Sequence, residues 1–485
     1  MLILYDDTAP APASIRQIIG VEHFGDVLRR KRRLSEVIEQ LVNEIGEHKF
    51  VRATDTGRCL AEIDLLERQG DSQVLFRLPS SLMPVNLKKF ALTLRKLPYS
   101  LDQAIFGGRF DDEAAALLTT REASTLLMIT DPKKRRAYFV GLAERGVQID
   151  NAIGLVDLRD IGSFLAYMIG ATETRHFNAT HVSGGVFRKS STDKAKMRAE
   201  YAYFNLVPEA MRRFLLPGFD FREDGDRASY AMENLSIPDA ALQMVHHSFD
   251  PASFGRLLDR FFEFIAARAE KHIGVEAVRD VARIEILKKY EQRLDQFMAT
   301  DAGRRVDTLL GASGPYGSIA TMRRHATLLV ERAITADLSA ALATSHGDPC
   351  LSNILFNREI GIFRLVDPRG ATTFDEAFMH PLYDIAKFSH SVLGGYDFIN
   401  NGLFECRLDH DLQLILELDG GGPPSWMRAA FQERLAAKNY DIATIRGYEL
   451  SLFLSMLPLH IDVPRKLPAF CLAAAKIMAE LDGEK

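Results

Sequence analysis

The chain lacks most of what marks a secreted, membrane-bound or nucleic-acid-binding protein. Its four cysteines, Cys59, Cys350, Cys406 and Cys471, lie far apart in 485 residues, with no CxxC pair and no metal-ligand spacing. That excludes a disulfide framework or a zinc module and leaves reduced thiols in a cytosol as the expected state. The opening MLILYDDTAP has no basic region leading into a long apolar run, so it does not read as a signal peptide. The longest apolar runs, such as STLLMIT, are too short to span a bilayer. No Met-Gly start and no C-terminal cysteine box call for a lipid anchor. Excess positive charge is missing too: the net charge is −5 and the pI about 6.3. A protein that neutralises nucleic-acid phosphates over a broad face needs the opposite balance. No internal repeat and no low-complexity segment occurs. The expectation is a cytoplasmic globular protein with no nucleic-acid partner and no membrane span.

What is present is ordinary core material, 47% hydrophobic and 26% charged residues, in a chain long enough for two or three domains. Over 1–170 helical and strand patterns alternate, which predicts an α/β layer domain. RLSEVIEQLVNEIG (33–46) has helical spacing, and QVLFRLP (73–79), TLLMITD (125–131) and NAIGLVDL (151–158) read as buried strands. From 171 the pattern changes. TRHFNATHVSGGVFRKSS predicts a β-hairpin turning at or near Gly184–Gly185, followed by a helix over 193–207 that Pro208 ends. A second hairpin over 219–235 turns at Glu223–Asp224–Gly225. Long helices then dominate, among them 254–273 and 282–299. The expected division is an α/β domain (1–170), a small β-rich lobe (171–235) and a large helical lobe (236–485).

The chemistry concentrates in SHGDPCLSNILFNREIGIFRLVDPRG (345–370). NILFN and IFRLVD are strand-like, with NREIG turning between them. Such a hairpin brings Asn353 and Asp367 close together, with Asp348 on a short loop before it. One Asp and one Asn suit Mg²⁺, which takes few protein ligands and completes its shell with phosphate oxygens. Asp348 is then free to accept a proton from a substrate hydroxyl. Phosphoryl transfer needs this division between charge neutralisation and orientation of the nucleophile.

His346-Gly347-Asp348, with Asn353 and Asp367-Pro368, resembles the HGDxxxxN…D signature of aminoglycoside phosphotransferase and choline kinase-like enzymes, relatives of the protein kinases. The resemblance implies an α+β bilobal protein kinase-like domain with a large helical C-lobe, using ATP and Mg²⁺. It makes Asp348 the base and Asn353 and Asp367 the metal ligands. His346 supports the loop, and Asp384 in YDIAKFSH corresponds to an acid that braces it. HGDPCLSNILFN, VDPRG and YDIAKFSHSVLGGYDFINNGLF together resemble phosphotransferase-like proteins found with bacterial capsule and surface-polysaccharide genes. The similarity spans about 173–400.

A kinase-like site calls for a lysine on a small-lobe strand and a glutamate on the next helix. Lys189 at the end of VFRK and Glu200 eleven residues on fill those places; Lys194 and Lys196 compete for the first and are expected in solvent, while Arg198 could pair with Glu200. Ser183-Gly184-Gly185 stands where the nucleotide loop belongs and lacks the G-x-G-x-x-G pattern, so it is equally a plain turn. SYAMENL resembles the hinge between lobes, which would offer backbone groups of Glu233 and Leu235 to adenine. Arg369 departs from the DFG pattern: it suits an acceptor phosphate or carboxylate, or it pairs with Asp375 or Glu376.

RLPSSLMPVNLKKFALTLRKLPYS and GLVDLRDIGSFLAYM resemble late segments of sugar nucleotidyltransferases, but the glycine-rich basic loop of those enzymes is not visible near residue 10. The N-terminal third is therefore expected to be degenerate, binding a partner or positioning the acceptor. The basic runs LRRKRRL (28–34) and DPKKRRAY (131–138) read as solvated faces or turns. Three activities remain open. One is phosphoryl transfer to a hydroxyl of a small molecule or glycan precursor in surface-polysaccharide biosynthesis. The others are a non-catalytic nucleotide-binding regulator or scaffold, and nucleotidyl transfer. The acceptor and the oligomeric state are not legible.

Overall fold

All five residues of Leu2–Asp6 (β1) are buried, which seats this strand inside a sheet rather than at its rim. Lys49–Ala53 (β2) and Val74–Pro79 (β3) flank it in parallel. Ala104–Phe106 (β4), Ala115–Thr119 (β5) and Gln148–Asp150 (β6) complete the order β2-β1-β3-β5-β4-β6. Helix Leu34–Ile45 (α1) buries Leu34, Ile38 and Val42 at four-residue spacing and stops at Gly46, whose φ of 76° is left-handed. This sheet belongs to the first of two units, Met1–Thr172 and Glu173–Lys485. The computed structural model describes residues 1–29, 32–69, 74–99, 103–106, 112–150, 154–169, 178–183, 185–235 and 237–483.

One expected strand of the first unit needs correction. TLLMITD is not a strand: Thr120–Leu127 (α2) is helical, with the Thr119 hydroxyl accepting the Glu122 N–H at 3.2 Å. A short apolar run has no periodicity of its own, and here the capping residue decides. DPKKRRAY is, as expected, a largely solvated helix face, capped by Asp131 and with Lys133, Lys134 and Arg136 exposed, while Arg135 turns inward to pair with Glu113. Glu113 also takes Arg77, which is buried and reaches Asp6 at 2.6 Å; a buried guanidinium is tolerable only with such partners. Leu155–Asp157, within NAIGLVDL, is a strand but pairs antiparallel with Leu82–Pro84 outside the main sheet.

The second unit opens with an antiparallel sheet, β7 (Asn178–Ser183), β8 (Val186–Ser191), β9 (Phe219–Asp224) and β10 (Arg227–Glu233), in the order β7-β8-β10-β9. Helix Lys194–Leu206 (α3) is capped by Asp193, buries Met197, Glu200 and Tyr203, and ends before Pro208. Met197 joins Ala228, Tyr230 and Met232 in the core between helix and sheet. A larger helical part follows. Its centre is Ile442–Ser455, buried over almost its whole length. Ile319–Ala336, Tyr383–Val392 and Lys466–Asp482 pack around it.

The helix expected over 254–273 stops early. Pro251–Ala266 is helical, while Glu270–His272 (β11) is a strand paired with Ala341–Thr344. Nothing apolar larger than alanine lies between Ile265 and Ile273, so no helical stripe continues. The helix expected over 282–299 contains a π-helical stretch, Arg283–Lys288, before the regular turns of Lys289–Met298. Among the described residues no helix is long and apolar enough to cross a membrane.

Candidate active site

Ile354–Asn357 (β12) and Ile362–Leu365 (β13) form the expected hairpin, in register Ile354↔Leu365. The Val366 N–H bonds the Asn353 carbonyl at 3.0 Å, so Asn353 and Asp367 leave the hairpin side by side. The Asn353 amide donates to the Asp348 carbonyl at 2.9 Å, which ties the loop before the hairpin to the hairpin itself and leaves Asn353 Oδ1 as an acceptor. Asp367 holds φ at 60°. For a non-glycine residue that conformation costs about 1–2 kcal/mol and is found where surrounding structure imposes it.

The loop is braced from beneath. Asp384, fully buried on Tyr383–Val392, accepts the His346 N–H at 3.0 Å and the Gly347 N–H at 2.8 Å. Arg268 lies 3.5 Å away and supplies the balancing charge. His346 is buried, and loss of solvent pushes its pKa down, so the ring is neutral at pH 7. Its Nδ1 accepts the Asp348 N–H at 3.3 Å.

Lys189 on β8 meets this loop. Its Nζ donates to Glu200 Oε2 at 2.7 Å and to Asp367 Oδ1 at 2.5 Å. Burial works against the ammonium, but the Asp367 and Glu200 carboxylates outweigh it, and the lysine pKa is raised. Glu200 also accepts the Tyr230 hydroxyl at 3.0 Å. Lys189 and Glu200 are both buried, while the Asp367 side chain is 48% exposed, so the contact joins an interior pair to an accessible carboxylate. Gly370 then brings the segment after Asp367 against α3: its φ is 84°, and an added Cβ would lie 2.6 Å from the Ala199 carbonyl carbon. The Ala371 N–H bonds the Ala199 carbonyl at 3.1 Å.

Lys189, Glu200, Asp348, Asn353, Asp367, His346 and Asp384 thus share one site. Gly184 lies outside the described residues. Gly185, with φ 79°, accepts the Asn234 N–H at 2.9 Å, so the turn of the first hairpin sits beside Glu233 and Leu235 at the end of the sheet. Among the described residues no side-chain hydrogen bond or ion pair connects Gly185, Glu233 or Leu235 to the site. The competing pairings resolve differently from expectation. Arg198 goes to Glu223; Lys194 donates to the Gly225 carbonyl at 2.7 Å; Lys196 lies 3.5 Å from Glu200 and is not purely solvated. Arg369 takes neither proposed acid, because Asp375 pairs with Lys271 at 2.9 Å and Glu376 accepts from Thr372.

Three residues went unnoticed in the sequence. Lys387 Nζ lies 2.9 Å from Asp348 Oδ1. Tyr383, one helical turn earlier, accepts from Lys289 Nζ at 2.9 Å. Lys387 stands three residues after Asp384, so the helix that carries the brace also carries the cation, a spacing that only the helical reading of YDIAKFSH could have exposed.

No family model and no curated protein matches the chain. Among solved structures, it is similar to a thermostable mutant of aminoglycoside phosphotransferase APH(4)-Ia in the apo form, at 12% identity and a TM-score of 0.36, covering 66% of this chain and 97% of that one. A ternary complex of the same protein with AMP-PNP and hygromycin B gives a TM-score of 0.37 at 12% identity, covering 66% and 96%. Likenesses this slight carry no weight for function.

Proposed function

We propose that the chain is an ATP- and Mg²⁺-dependent phosphotransferase acting on a hydroxyl group of a small molecule or glycan precursor. One observation carries the reading: Lys189 joins Glu200 and Asp367, and Asp367 leaves the same hairpin end as Asn353, which holds the Asp348 loop. These residues come from two stretches far apart in sequence, 189–200 and 348–367. As a set they supply a phosphate contact, two oxygen ligands and a carboxylate for the nucleophile, which is what phosphoryl transfer requires.

In this reading Lys189 contacts nucleotide phosphates, with Glu200 fixing its direction. Asn353 Oδ1 and the exposed Asp367 carboxylate fit a hard cation, since both are oxygen donors and Asn353 keeps that oxygen uncommitted. A bound Mg²⁺ would neutralise charge on the phosphates. Asp348 accepts the proton of the acceptor hydroxyl, and Asp384 holds the loop so that its carboxylate keeps its place. Glu233, Leu235 and Gly185 border the adenine. A role in surface-polysaccharide biosynthesis and a cytoplasmic location rest on the sequence resemblance and composition.

Asp348→Ala tests the assignment. The variant is expected to bind ATP with Mg²⁺ in titration calorimetry within a few-fold of wild type and to lose phosphoryl transfer by about 100-fold or more. Normal turnover would remove Asp348 from the chemistry. Absence of nucleotide binding by the wild-type chain would remove the reading altogether, and a product heavier by a nucleotidyl group would replace it.

A further inference from the structure

Three cations gather around Asp348, although the chain as a whole is acidic at net charge −5. Lys387 contacts its carboxylate at 2.9 Å from Tyr383–Val392. Lys289 approaches over Tyr383, donating to its hydroxyl at 2.9 Å, with the ammonium 5.2 Å from the ring centroid. Arg369 enters from the segment after Asp367, where its own N–H bonds the His346 carbonyl at 2.8 Å. Its side chain fills the space beside Gly347, and among the described residues its guanidinium has one polar contact, Met379 Sδ at 3.8 Å.

Only one of the three cations has an acid. Among the described residues no carboxylate lies within ion-pair distance of Lys289 or Arg369, so two positive charges remain once Lys387 is set against Asp348. Lys289 is the more telling. It is half-buried, and burial together with the charges of Arg369 and Lys387 lowers its pKa, with the Tyr383 oxygen only partly compensating. A half-buried ammonium beside two further cations, with no carboxylate of its own among the described residues, is costly unless a ligand supplies the counter-charge. The π-helical stretch Arg283–Lys288 ends at Lys289 and rephases the helix there, a distortion common at functional sites.

Resting on the phosphotransferase reading, we infer that Lys289 and Arg369, next to Lys387, form an anion subsite for the acceptor, which is a hydroxyl compound carrying a phosphate monoester. Two uncompensated cations match a phosphate dianion, and the arginine fork suits its oxygens. The subsite lies on the helical-lobe side of Asp348, whereas Lys189 reaches the site from the sheet. A neutral polyol leaves both charges unmatched, and a polycationic aminoglycoside is repelled.

The test is binding of inorganic phosphate to the full chain held with Mg²⁺ and a non-hydrolysable ATP analogue, followed by titration calorimetry. The analogue blocks the Lys189 side, so residual phosphate binding reports the subsite. Saturable binding at millimolar phosphate, weakened at least about tenfold in Arg369→Ala and in Lys289→Met, is the expected result. Arg369 is exposed, so its variant folds even if Lys289→Met does not. No binding up to tens of millimolar phosphate, or binding unchanged in Arg369→Ala, overturns the inference. So does acetate binding at the same place more tightly than phosphate, which would make the acceptor a carboxylate. A failure of the phosphotransferase reading shows separately, as loss of analogue binding in the first step.

Discussion

The Asp384 carboxylate accepts the backbone N–H groups of both His346 and Gly347, so one buried side chain sets the path of the loop that presents Asp348. Removing it leaves two buried donors without partners, each costing about 1–3 kcal/mol. Asp384→Ala is expected to lower the melting temperature by several degrees and to abolish transfer. Asp384→Asn, which keeps one acceptor oxygen, should recover part of the stability. Equal melting temperatures for wild type and Asp384→Ala would show that the loop is held by something else.

Lys189 and Glu200 form a pair in which both groups are buried. Lys189→Met strands the glutamate, and breaking such a pair costs about 3–5 kcal/mol. The Tyr230 hydroxyl and Lys196 still face Glu200, which favours the lower end. The double variant Lys189→Met with Glu200→Gln is expected to be more stable than Lys189→Met alone, measured by denaturant unfolding. A double variant with the summed loss of both singles would mean the two residues do not interact.

Gly370 and Gly361 both have left-handed φ, 84° and 69°, but only Gly370 is hemmed in. Alanine at either position pays a conformational cost of about 1 kcal/mol. At 370 the new methyl also meets the backbone of Ala199 and Glu200 at 2.6 Å, while at 361 it meets open space. Gly370→Ala should therefore lose both stability and turnover, and Gly361→Ala should lose a little stability only. Matching effects on turnover would dissociate the close approach from the chemistry.

Asp397 is fully buried, and burial pushes its carboxyl up to about 7, against a partial offset from the Ser391 hydroxyl and with the Asp239 charge adding to the rise. A raised carboxyl pKa means the folded chain holds the proton more tightly than the unfolded one. Its contribution is complete below the unfolded value of about 4 and is lost as pH rises through 7, on the order of a few kcal/mol. Asp337, lowered to about 2 despite burial through His380, acts in the opposite sense and at lower pH, so it does not mask this window. Asp397→Asn is expected to flatten the decline in melting temperature between pH 4 and pH 7. Identical slopes for the two proteins would show that Asp397 does not titrate there.

The parts of the site that follow chain order were legible. HGD, Asn353 and Asp367 sit around a hairpin whose apolar strands and polar turn announce it, and Lys189 precedes Glu200 on a strand and a helix that each show their own period. What escaped depends on contacts between distant elements or on competition between local forms. Lys387 reads as a surface lysine until the helix is set beneath the Asp348 loop. Arg369 had two acids near in sequence, yet Lys271, about a hundred residues away, takes one of them. TLLMITD has strand-like composition, and a single threonine cap makes it a helix. The π-helical stretch before Lys289 leaves no compositional trace.

Lys189 is held on both sides, by an interior glutamate and by the carboxylate of Asp367. On the proposed reading, a triphosphate reaching this ammonium would have to exchange for Asp367, and the displaced carboxylate would become available to a cation carried with the phosphates. Binding of nucleotide with its metal would then be favoured over binding of nucleotide alone, because only the former gives the displaced carboxylate a new partner.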